Sequence, residues 1–161
     1  MSGAPDLDRL AHLRSEARRR MPNGARMTDF RWAVDGGTVW LFPAAFVGGK
    51  GLVSLGHMSR IRTRPAADRT TQAFWLATAM RQDLWRALQG VPGLMPITAA
   101  RPEGADEMVL TAAAAVPPAK RSEAVQAVLA DIFQPRRVGA WAAWALDKAG
   151  GPAERDKRDK G

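Results

Sequence analysis

The sequence predicts an α+β fold: a single domain with an antiparallel sheet of four to five strands built from two hairpins, and helices packed on one face. Three observations lead there. Helical and alternating apolar patterns follow one another as helix, hairpin, irregular strand, long helix, hairpin, helix, helix. Two successive units of hairpin then helix favour an antiparallel sheet with segregated helices. A length of 161 residues with 46% hydrophobic and 25% charged residues suits one core.

The first helix is predicted over residues 6–21. Leu7, Leu10, Leu13, Ala17 and Met21 recur at steps of three and four, and Pro22-Asn23-Gly24 stops the pattern. In that helix Arg18, Arg19 and Arg20 spread around the axis and form no single basic stripe. Residues 27–43 form the first hairpin, with Asp35-Gly36-Gly37 at its turn. A three-residue loop places Phe30, Trp32, Trp40 and Phe42 on one face, and this register is the one expected; a two-residue loop moves Trp40 to the face of Arg31.

A glycine-rich stretch, residues 44–58, follows, with a short strand at Leu52 to Leu55. Residues 59–64 alternate strictly. Ser59, Ile61 and Thr63 fall on one side, and Arg60, Arg62 and Arg64 on the other, before Pro65. The longest helix is predicted over 68–90, with Phe74, Ala77, Leu84, Trp85 and Leu88 on its apolar stripe and Trp75 away from it. Strands at Leu94 to Ala100 and Met108 to Val116 make the second hairpin around a solvated loop with Glu103, Asp106 and Glu107. Helices at 120–133 and 136–148 complete a domain spanning 1–150, and 151–161 reads as a disordered charged tail.

Several function classes drop out. There is no cysteine, which removes disulfides, thiolate metal sites and cysteine nucleophiles. Two histidines, His12 and His57, leave little for zinc, and no motif places an acid beside His57. Gly48-Gly49-Lys50-Gly51 fails the phosphate-loop pattern, because Ala44 and Gly51 stand where glycine and a hydroxyl residue are required. No cofactor or metal is expected. No stretch has the roughly 20 apolar residues of a membrane helix, and the N-terminus lacks the apolar core of a secretory signal. A cytoplasmic protein is expected.

What remains is charge. The chain carries a net +8, mostly outside its ends. Arg26, Arg31, Lys50, Arg60, Arg62, Arg64 and Arg69 face only Asp29, Asp35 and Asp68 within residues 26–69. Alternate strand positions space guanidinium groups at roughly 6.5 to 7 Å, a spacing that can follow a phosphate backbone. The sequence therefore points to a non-enzymatic module that contacts nucleic-acid phosphates through Arg60, Arg62, Arg64 and Arg69, helped by Lys50. The same arginines suit an acidic protein surface. In that alternative the chain is an adaptor or assembly subunit, with Trp75, Trp141 and Trp144 as contacts.

Overall fold

The structure is a computed structural model that describes residues 3–118 and 122–153. Its elements are α1 (Leu7–Leu13), β1 (Phe30–Asp35), β2 (Thr38–Pro43), β3 (Val53–Arg62), α2 (Arg69–Leu88), β4 (Met95–Glu103), β5 (Glu107–Val116), α3 (Ser122–Asp131) and α4 (Pro135–Lys148). The five strands form one sheet in the order β1-β2-β4-β5-β3, and every neighbouring pair is antiparallel. β4 and β5 are interior strands, so β5 is buried along its length and carries small residues, Ala112 to Ala115, that admit α2 and α3 closely. Thr98 Oγ1 donates to the Ala77 carbonyl at 2.9 Å, which fixes how near α2 lies to β4.

Strand alternation divides the core into two clusters. Trp32, Leu41, Ala112 and Ala114 join Phe74, Met80 and Leu84 of α2, Leu129 of α3 and Trp141 of α4. Ala33, Phe42, Ile97, Ala113 and Ala115 join Leu7, Leu10 and Leu13. The three longer helices thus share one face, and the short α1 covers part of the other.

α1 is shorter than the periodicity predicts. Asp6 caps it, its carboxylate accepting from the Asp8 and Arg9 amides, and a 3-10 turn at Arg14–Glu16 follows. At Ala17 the backbone becomes extended, with ψ 136°. The Arg18 amide then donates to the Trp32 carbonyl at 2.7 Å, and the Trp32 amide to the Arg18 carbonyl at 3.2 Å. Pairing with the open edge of β1 therefore competes successfully with another helical turn, and Ala17 and Met21 leave the helical stripe.

The first hairpin takes the two-residue loop. Asp35 pairs with Thr38 and Trp32 with Leu41. Gly36 and Gly37 both have positive φ, 57° and 82°, as a tight turn compatible with strand twist requires at both central positions. The expected grouping of four aromatics is corrected accordingly: Phe30 and Trp32 face α2, while Trp40 and Phe42 lie on the face of Arg31 and α1.

β3 is one continuous ten-residue edge strand rather than two short ones. Gly151–Ala153, at the start of the predicted tail, are tied back: the Ala153 amide donates to the Pro65 carbonyl at 2.7 Å, beside a bridge between Ala66 and Pro152. The remainder of that tail, 154–161, lies outside the described residues, as do 119–121 at the start of the predicted third helix.

Candidate nucleic-acid interface

Each arginine of the sequence row has a definite place. Arg60 and Arg62 end β3, opposite Val109 and Glu107 of β5. Arg60 is taken up by carboxylates, at 2.8 Å from Glu103 and 3.6 Å from Glu107. Arg101 is a third member, 3.3 Å from Glu103. Arg69 begins α2 and points into the β4–β5 turn, where its guanidinium donates to the carbonyls of Gly104 and Glu107, the latter at 2.6 Å. Arg62 and Arg64 are exposed, and no ion pair engages them among the described residues. The segment that carries Arg64 is anchored from beneath by Gln72, whose side chain bonds the Ala66 amide and the Arg64 carbonyl.

The row is therefore not an uninterrupted positive strip. Asp68, Glu103, Asp106 and Glu107 stand with Arg60, Arg62, Arg64, Arg69 and Arg101 at this corner of the sheet. Asp68 serves the helix start, its carboxylate held below the usual range chiefly by the Thr71 amide and then by the Thr71 hydroxyl. Lys50 does not join the group. It is exposed in the loop that leads into β3, whose ten residues span about 30 Å from the strand rise, with Arg62 at the far end. Gly48 and Gly49 of that loop pack on Ala11 and Leu7 of α1; a Cβ at Gly49 would meet the Leu7 Cβ at 2.4 Å. Close packing on α1 is thus a structural use for these glycines.

Two of the three tryptophans proposed as contacts, Trp75 and Trp144, meet each other. Trp75 and Trp141 are buried and Trp144 is half-buried. Trp75 and Trp144 stack edge to face at 5.6 Å, and the Trp141 indole N–H donates to Asp83 at 2.6 Å. Together they form the joint between α2 and α4, which covers the sector of α2 that the apolar stripe leaves open. His57 packs beside Phe133 at 5.6 Å. Among the described residues, no group of three or more His, Asp or Glu is placed to hold a metal ion. No helix among them is long and apolar enough to cross a membrane.

The opposite edge of the sheet has the charge imbalance that the row lacks. Residues 14–31 hold six arginines, Arg14, Arg18, Arg19, Arg20, Arg26 and Arg31, against Glu16 and Asp29. Arg14 lies on the 3-10 turn, Arg18 to Arg20 on the extended segment beside β1, Arg26 in the loop before β1 where it pairs with Arg20, and Arg31 on β1 itself. None forms an ion pair with a carboxylate among the described residues. Arg18 lies over the Trp32 ring at 4.6 Å, and the Arg20 guanidinium donates to the Gly24 carbonyl at 3.0 Å. One guanidinium nitrogen of Arg31 donates to the carbonyls of Met27, Thr28 and Phe30, so Arg31 is held in place by its own strand and the turn before it.

Beside α1 this edge forms an open cleft of about 610 Å³, lined by Ala11, Arg14, Ser15, Ala17, Arg19, Arg31 and Ala44. The lining holds three guanidinium groups, a hydroxyl and no carboxylate. The nearest structural ion pair is Arg9 with Asp35 at 2.8 Å, which ties α1 to the first hairpin. Its hydrogen bond holds the Asp35 carboxyl below the usual range. The sequence signal for the cleft is the run Arg18-Arg19-Arg20, once it is placed on extended backbone: alternation then sends Arg19 away from Arg18 and Arg20. No protein-family model matches the chain, and no curated protein or solved structure matches it significantly.

Proposed function

We propose that the chain is a non-enzymatic module that binds nucleic acid through phosphate contacts, with its principal contacts at the β1 edge. The observation that carries this reading is the cleft of Arg14, Arg19 and Arg31, whose lining holds no carboxylate, beside a run, residues 14–31, in which six arginines meet two acids. Guanidinium groups without internal counter-charges favour a multivalent anion, and arginine suits phosphate oxygens through paired N–H donors. Arg62 and Arg64 add to the field as peripheral contacts, while Arg60 and Arg69 are occupied by the β4–β5 turn. A cytoplasmic location goes with this reading.

Salt dependence tests it. Affinity for an oligonucleotide should fall linearly on a double logarithmic plot against salt. The double substitution Arg14→Gln and Arg19→Gln should reduce the magnitude of the slope by about 1.5, between the values for single strands and duplex. Arg60→Gln should leave the slope nearly unchanged. Absence of binding at low salt, or an unaltered slope in the double variant, would refute the reading.

A further inference from the structure

On the other face of β1 lies a second cleft, of about 450 Å³, lined by Asp29, Phe30, Arg81, Gln82, Trp85 and Arg86. Four of these residues come from one side of α2, at positions i, i+1, i+4 and i+5. Trp85 is the feature that the core does not require. Leu84 and Leu88 are fully or almost fully buried beside it, yet Trp85 is 52% exposed. Trp32, Trp75 and Trp141 are buried, and Trp40 and Trp144 are half-buried. Trp85 is thus the one tryptophan that is largely open to solvent.

Arg81 is the second unusual group. Its guanidinium carbon sits 3.9 Å above the Phe30 ring, and the residue is half-buried. Its side chain makes no hydrogen bond to any described residue, and its Nε is buried without a partner. Burial works against its charge and Asp29 works for it. An arginine withdrawn from water with no carboxylate on its N–H groups is poorly compensated, and an anion in the cleft would supply acceptors. Arg86 stands at the rim, 3.5 Å from Asp83 and largely exposed.

We infer that the nucleic acid is single-stranded and that this cleft takes one of its nucleotides, the base stacked on Trp85 and the phosphate held by Arg81 and Arg86. The inference rests on the phosphate-binding reading above. An exposed aromatic within a basic groove is the arrangement that holds unpaired bases, since every base offers a π-face. In a duplex those faces are occupied by neighbouring base pairs, so an intact duplex offers Trp85 nothing to stack on. Asp29 is the one carboxylate of the lining. It repels a phosphate from its own end of the cleft and accepts from an exocyclic amine, which orients the nucleotide with its phosphate toward the arginines.

The test compares a single-stranded oligonucleotide, the matched duplex and a free nucleoside monophosphate, read by tryptophan fluorescence and by anisotropy of a labelled oligonucleotide. The single strand should bind in preference to the duplex and should quench fluorescence in the parent protein but much less in Trp85→Phe. Trp85→Ala should weaken single-strand binding by about tenfold or more, while Trp85→Phe should retain most of the affinity. Arg81→Gln, a second and independent variant, should weaken it and lower the salt slope by about 0.7. Thermal unfolding by circular dichroism confirms that each variant is folded. Salt-dependent single-strand binding that is indifferent to Trp85 and Arg81 would overturn this inference and leave the phosphate reading standing. A preference for duplex would do the same. A free nucleotide that binds as tightly as the oligonucleotide, or an acidic peptide with the same dependence on Trp85, would also overturn it. If neither strand form binds, the phosphate reading itself fails.

Discussion

Gln72→Leu is the most informative single perturbation of the fold, because it removes a polar network without changing side-chain size much. Gln72 is 0% exposed. Its Oε1 accepts from the Ala66 amide at 2.9 Å, and its Nε2 donates to the Arg64 carbonyl at 2.8 Å and, more weakly, to the Thr63 hydroxyl at 3.4 Å. Leucine would leave the Ala66 N–H and the Arg64 carbonyl without that partner. Orphaning a buried polar group costs about 1–3 kcal/mol, so two of them cost about 2–6. The extra apolar burial of leucine offsets roughly 1 kcal/mol. The expected net loss is about 3 kcal/mol. For a domain of this length that corresponds to a fall in Tm of about 6–12 °C. Urea unfolding measures the loss directly, with an unchanged m-value showing that the native state has not loosened globally. Amide exchange at Ala66 should accelerate as well. A variant within about 0.5 kcal/mol of the parent would refute the claim that Gln72 holds the segment from Thr63 to Ala66 against α2.

Arg69→Ala should lower stability by about 2 kcal/mol, since two charge-assisted bonds to the β4–β5 turn are lost, while the salt slope for oligonucleotide binding stays at the parental value. Thermal unfolding and a salt titration separate this from a phosphate role, which would change the slope and spare the Tm. Asp68 has a depressed folded pKa, so its contribution is complete above the unfolded value near 3.9 and is lost as pH falls through the folded one. Asp68→Asn keeps an N-cap acceptor without the titration and should flatten that part of the acid limb, measured by urea midpoints between neutral pH and about pH 3. Gly56→Ala would bring a Cβ to 2.5 Å from the Gly3 carbonyl oxygen and 2.9 Å from the Ala4 Cα. The segment before α1 must then lift from β3; a loss of about 1–3 kcal/mol and earlier proteolytic cutting ahead of Asp6 are the expected signs.

Much of the architecture is legible from local patterns. The apolar steps of α2, the alternation of β3 and the glycines of the first turn are statements about neighbouring residues, and local geometry obeys them except at Trp85, which belongs to the expected stripe of α2 but is exposed. The misreadings share a cause, which is that the deciding partner is remote in sequence. Nothing near Ala17 signals that Arg18 will pair with Trp32 and end the helix. Nothing in α2 signals that α4 will cover Trp75. In the first turn the aromatics need not share one face, because both faces of this sheet are covered, and the two glycines set the register.

A remote partner also makes the arginine row less available than its sequence suggests. A charge count over residues 26–69 treats those residues as one another's neighbours. In the fold, their neighbours are Glu103, Asp106 and Glu107, some forty residues later, which antiparallel pairing of β3 with β5 brings alongside. β3 is also an edge strand, and such strands need protection against pairing with other chains. Along its middle the protection comes from Gln126, whose amide donates to the Gly56 carbonyl at 2.7 Å. At its end the exposed Arg62 adds a charge, while Arg60 reaches back over the sheet to Glu103 and Glu107. The β1 edge meets the same need differently. There the backbone is partly occupied by the segment from Arg18 to Arg20, which brings its own arginines and no carboxylate into that run. One edge is therefore guarded by charges that are largely balanced, and the other by charges that are not. An anionic partner gains most where no internal carboxylate has to be displaced, and this difference moves the proposed contact surface from β3 to β1.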